Sequence, residues 1–94
     1  MPRLENWGIM IKDSFYVSND YRFCLYGETY GHHNFDDGTL IITKKIEFFD
    51  SAFNVAKTMN NEYALGELDQ KFMERLEEKG QKVGDFDRWD LRQL

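Results

Sequence analysis

The longest run of strand-like alternation lies at residues 39–49, and it limits the fold more firmly than any other segment. Side chains that switch character with every residue fit the two faces of a pleated strand, not the stripe of a helix. Leu40, Ile42, Ile46 and Phe48 share one parity, which is assigned to the core. Thr39, Thr43, Lys45 and Glu47 share the other, with Ile41 and Phe49 among them, and this is read as the wet face. Lys44 falls on the apolar parity, so a bulge or an edge position is expected there.

The elements around this strand read in the same way. Residues 21–30 are rich in aromatics, with Tyr21, Phe23 and Leu25 facing one way and Arg22, Cys24, Tyr26 and Tyr30 the other. Two apolar faces point to a central strand, and Gly27 within it to a bulge or a close backbone approach. Trp7, Ile9 and Ile11 mark an earlier short strand, while the first six residues read as polar. Asp13 and Ser14 are turn chemistry, and residues 15–20 are ambiguous between a brief strand and a helical turn capped by Ser18. After Asp50 and Ser51 turn the chain, residues 53–57 and 62–66 predict two more strands joined at Asn60 and Asn61. Asp69 is a fitting N-cap for a helix to about Lys79, closed by Gly80, with Leu68, Phe72, Met73 and Leu76 as its apolar stripe. That stripe is narrow, so the helix must dock on the sheet. The expected fold is a single α+β domain over residues 1–94. Its core is a small antiparallel β-sheet or open barrel of about five strands, with one C-terminal helix packed on it and a short helical tail.

Composition narrows the function classes. A chain of 94 residues sits near the lower limit for folding without staples, and its eight Phe, five Tyr and two Trp supply the bulk a small core needs. The formal charge of −5 argues against direct nucleic-acid binding, which relies on clustered Lys and Arg. It suits solubility, or imitation of a phosphate backbone in the basic groove of a nucleic-acid enzyme. Cys24 is the single cysteine, so no internal disulfide forms, and a reduced, buried thiol is expected. With no leader-like apolar run and no stretch of the ~20 apolar residues that a membrane helix needs, a cytoplasmic protein is expected.

The densest group of polar contact residues is the loop before the main strand. His32 and His33 lie beside Asn34, Phe35, Asp36 and Asp37, with Gly38 supplying positive φ. A plain solvated turn accounts for these residues. A ligand grip would add Thr39, Thr43 and Lys45 from the following strand, Tyr26, Tyr30 and Phe35 as stacking surface, and Arg22 with Lys44 as charge. Metal binding has two adjacent imidazoles and two carboxylates to draw on, short of a ligand spacing, and no metal or cofactor is expected. A Cys24–histidine hydrolase lacks an identifiable oxyanion hole, and the neighbouring carboxylates Asp36–Asp37 and Glu77–Glu78 do not converge. No catalytic residue is assigned. The C-terminal Phe86, Trp89 and Leu91 sit among charges; they either fold back on the body or form an interface with another copy or a partner.

Residues 30–43, with Tyr30-Gly31-His32 leading to Phe35 and Asp37-Gly38, together with Tyr63 to Asp69, resemble short bacterial and phage proteins. Those carry a "YGH–x–x–F–x–DG" loop and a "Y–x–LG" strand before a terminal helix. His33 stands where those proteins more often have proline. Small phage proteins of this kind resemble counter-defence factors. One class, which includes the Thoeris anti-defence sponges, sequesters nucleotide signals in oligomers; another inhibits a host defence nuclease as an acidic mimic. The lack of a catalytic constellation points to a non-enzymatic binding protein, and its small size and apolar tail, with Trp89 and Leu91, to a homodimer; the resemblance implies that the partner is a nucleotide-like small molecule or a host defence protein. A small structural domain without a ligand is the remaining reading.

Overall fold

The computed structural model describes residues 1–12, 22–58 and 61–88, with only the backbone of Ile11, Lys12, Arg22, Asp85, Asp87 and Arg88. The expectations for residues 13–21, for the turn at Asn60, and for Trp89 and Leu91 lie outside the described residues. Five strands, β1 (Arg3–Lys12), β2 (Arg22–Tyr30), β3 (Thr39–Asp50), β4 (Val55–Thr58) and β5 (Glu62–Leu65), form a closed barrel in chain order. Successive strands are antiparallel. An odd number of strands in a meander leaves the first and last pointing the same way, so β1 and β5 close the barrel in parallel, Arg3 beside Ala64 and Leu4 beside Leu65.

That closure uses residues that the sequence presents as a polar leader. Leu4 is fully buried, and a register shift between Glu5 and Gly8, with Asn6 at φ 50°, swings Trp7 inward as well. The bulge thereby puts Leu4, Trp7 and Ile9 into one core despite their uneven spacing. The Trp7 ring packs against Phe49 and Phe72, at 5.8 and 6.2 Å between centroids, and its Nε1–H donates to the Gly66 carbonyl at 3.0 Å.

In β3 the assigned faces hold at Ile46 and Glu47 and are reversed at residues 40–43 and 48–49. Ile41, Thr43, Ile46 and Phe49 are buried, while Leu40, Ile42 and Phe48 are exposed. Two register shifts explain this. One lies opposite Cys24–Tyr26, at the Thr43–Lys44 position where the misplaced lysine pointed to a bulge, and the other lies between Ile46 and Phe48. Each extra residue flips the parity of the rest of the strand, so the inward positions run at spacings of two, three and three. Thr43 fastens the first bulge: its hydroxyl accepts from Leu25 N–H at 3.0 Å and donates to the Lys44 carbonyl at 2.8 Å.

The helix α1 (Gln70–Glu78) follows Asp69 and ends at Gly80, whose φ of 66° completes the stop. Phe72 and Leu76 are its buried residues; Met73, expected in the stripe, is exposed. Asp69 occupies the N-cap position, yet its carboxylate caps nothing and instead accepts from the Tyr26 hydroxyl. A 3-10 turn (Val83–Arg88) brings Phe86 back against Phe23, Phe49 and Phe72, so the chain returns to its own body at least that far.

Candidate functional site

The loop between β2 and β3 is built to hold itself. Gly31 and Gly38, at φ 72° and 87°, reverse the chain where a Cβ would be strained. Gly38 N–H donates to the Thr29 carbonyl at 2.8 Å, and Asp37 Oδ1 accepts from Gly31 N–H at 2.8 Å. The Asp36 carbonyl accepts twice from Thr39, through its amide at 3.2 Å and its hydroxyl at 2.7 Å. Thr39 is therefore engaged within the loop.

His32 is the buried member of the loop. Its Nδ1 accepts from the Asn34 amide at 3.0 Å, and because that amide always carries its hydrogen, the imidazole proton resides on Nε2. Nε2 then faces the Tyr63 hydroxyl at 3.4 Å as donor. Burial holds the His32 pKa below the usual histidine value, with the neighbouring His33 adding to the shift. Ring contacts complete the arrangement: His33 stacks on it at 5.1 Å and 18°, and Phe35 meets it edge-on at 4.9 Å. His32 pins the loop to the barrel wall and leaves His33, Asn34 and Phe35 at the exposed tip.

The other candidate residues go elsewhere. Tyr30 lies on the outer face, donating to Glu28 Oε1 at 3.3 Å, with the Arg3 guanidinium 5.0 Å over its ring. Desolvation raises its pKa, and Glu28 raises it further. Tyr26 is tied down beneath the helix, its hydroxyl donating to Asp69 Oδ2 at 2.8 Å and accepting from Arg75 Nη2 at 3.5 Å. Its pKa is pushed up to about 12, first by desolvation and then by the Asp69 carboxylate, with Arg75 opposing. Thr43 points inward and is used in the bulge. Lys45 is half-buried along β3, and the Arg22 side chain lies outside the described residues. The proposed grip is thus divided between the loop tip, the outer face and the barrel interior. Among the described residues no three His, Cys, Asp or Glu side chains gather as a metal site, and no helix is long and apolar enough to cross a membrane.

What the sequence reading missed is the outer surface of β3. Leu40 and Ile42 are 70% and 59% exposed, paired across the sheet with Glu28 and Tyr26 of β2. β4 joins β3 only from Ile46 onward, so among the described residues no strand pairs the other edge of residues 39–44. Phe35, 45% exposed, lies at the loop tip ahead of them in the chain. The available signal was the placement of Lys44 on the apolar parity and of Ile41 and Phe49 on the polar one, which together require a bulge between two opposite faces. Comparison with protein-family models, curated proteins and solved structures finds no match to this chain.

Proposed function

We propose that the chain is a non-enzymatic protein-binding module that docks its partner on the front half of β3. The exposed Leu40–Ile42 pair, on a strand segment with one edge unpaired among the described residues, carries this reading. An open apolar edge is a ready template for a partner, and each aliphatic side chain buried there contributes roughly 1.5–3 kcal/mol. The partner class that goes with the phage-protein resemblance is a host defence protein. Binding rather than turnover is also supported by His32, both of whose ring nitrogens are engaged in holding the loop.

A second reading keeps a nucleotide-like ligand at the loop tip. The exposed His33 ring, already stacked on His32, and the exposed Phe35 are surfaces on which a base can stack. Asp36 and Asp37 beside them oppose an anion, which places this reading second.

One pair of measurements separates the two. Immobilised wild-type protein is expected to retain a stoichiometric host protein that a Leu40→Lys, Ile42→Lys variant with unchanged melting temperature does not retain. Retention by both forms, or by neither, refutes the β3 reading. A melting-temperature shift with ADP-ribose or a cyclic nucleotide that His33→Ala and Phe35→Ala abolish would establish the loop-tip reading in its place.

A further inference from the structure

Resting on the reading of β3 as a docking strand, we propose that its edge, open among the described residues, takes a second copy of this chain in competition with the protein partner, antiparallel about Ile41. The argument is one of self-complementarity. A two-fold interface presents the same patch from both sides, so residues equidistant from the axis must suit each other. With the axis at Ile41, Leu40 of one copy lies opposite Ile42 of the other, and this happens twice. Both residues point outward in each copy, as directly opposed residues in an antiparallel pair must. Thr39 falls opposite Thr43, and Gly38 opposite Lys44.

Charge follows the same symmetry. The loop end of the edge carries Asp36 and Asp37, and the far end carries the exposed Lys44. Antiparallel pairing sets the acidic end of each copy beside the basic end of the other, whereas a parallel pairing would set like beside like. An axis shifted to Leu40 or Ile42 keeps the inward and outward faces but opposes Leu40 or Ile42 to itself and loses the double Leu–Ile match. The exposed tip of each loop, with His33 and Phe35, then overhangs Lys44 of the second copy. The edge is only about six residues long, so the contact belongs with the small, weak class of interfaces and is populated at high protein concentration.

The experiment is sedimentation equilibrium at ~0.05–1 mM on the full chain, with disulfide trapping as the test of register. The wild type is expected to show concentration-dependent dimer. Leu40→Lys, Ile42→Lys is expected to weaken it by up to ~25-fold through the loss of two cross-strand pairs worth up to about fivefold each, and further through the opposed like charges it introduces. In a Cys24→Ser background, Leu40→Cys, Ile42→Cys should form a disulfide joining position 40 of one copy to position 42 of the other, identified in mixed isotope-labelled protein. Within one copy those side chains point the same way from positions about 6.6 Å apart along the strand, so their Cβ atoms stay well beyond the ~3.8 Å that a disulfide needs. A wild type that stays monomeric across this range overturns the inference, as does a dimer without the 40-to-42 link. If the monomer still captures a host protein through Leu40 and Ile42, the function proposed above survives and the second-copy assignment alone falls.

Discussion

Replacing Gly8 with alanine tests whether the outer face of the barrel is locked through Tyr26. Gly8 lies opposite Tyr26 in the β1–β2 ladder, and the tyrosine ring covers it. A Cβ at this position would come within 2.6 Å of Tyr26 Cε1 and overlap Cζ and the hydroxyl oxygen. The backbone at Gly8 is not left-handed, so strain at φ does not enter; the conflict is with the ring alone. The ring must lift, and the 2.8 Å hydrogen bond to Asp69 at the start of α1 then breaks. Overpacking costs about 1–3 kcal/mol. A hydrogen bond to a carboxylate contributes about 1.5–3 kcal/mol, reduced here to ~1 because Tyr26 and Asp69 are only half-buried. The sum is ~2–4 kcal/mol, or roughly 10–25 °C in melting temperature for a domain of this size. The decisive assay is a double-mutant cycle by urea denaturation. With Tyr26→Ala already in place, Gly8→Ala should be neutral or slightly stabilising, since alanine restricts the unfolded chain. An equal loss in both backgrounds would show that the clash with Tyr26 is not what makes glycine necessary.

Two further outcomes are expected. His32 titrates in the folded state below its unfolded value, so the unfolded chain takes up the proton first. Its contribution is complete above about pH 6.5 and falls as the pH drops below that value. Urea denaturation at pH 7.5 and 5.5 should show this slope, and His32→Gln should flatten it; an identical slope in the variant refutes the assignment. Two of the buried threonines, Thr43 and Thr29, should respond oppositely to valine. Thr43→Val strands the buried Leu25 N–H and should cost ~1–3 kcal/mol, whereas the buried Thr29 hydroxyl has no partner among the described residues and Thr29→Val should be neutral or raise the melting temperature. Equal responses would mean that the Thr43 bonds do not hold the bulge.

The existence of the strands and the docked helix were legible because apolar runs and turn residues recur at short intervals, and these survive any error in facing. Facing itself was not legible in β3 or at the start of β1. A bulge leaves no compositional mark beyond one residue out of phase, and β3 contains two of them. Counting straight through residues 39–49 therefore put Leu40 and Ile42 inside and Thr43 outside, the reverse of their places. Residues 1–6 looked polar because only Leu4 in them faces the core, and its register is set by pairing with Thr29 and Leu65, far away in the chain. The loop was correctly located, with Gly38 at positive φ, but whether its histidines face solvent depends on Tyr63, thirty-one residues from His32.

The reversal in β3 bears on function as well as on facing. Closing a small barrel requires bulges, and a bulge at Thr43–Lys44 needs only that Ile41, Thr43 and Ile46 face inward. Nothing in that requirement calls for aliphatic residues at 40 and 42. Outward positions at an unpaired edge are where natural sheets place lysine, proline or a short strand end, to discourage pairing with other chains. This chain does the opposite at two consecutive outward positions and places its lysines next to them, at 44 and 45. The hydroxyl side chains follow the same division: Thr43 works inside the wall, Thr39 within the loop, and neither relieves the outer surface of its apolar character. That arrangement is the one expected of a strand that receives another strand, and it supports the docking proposed for β3.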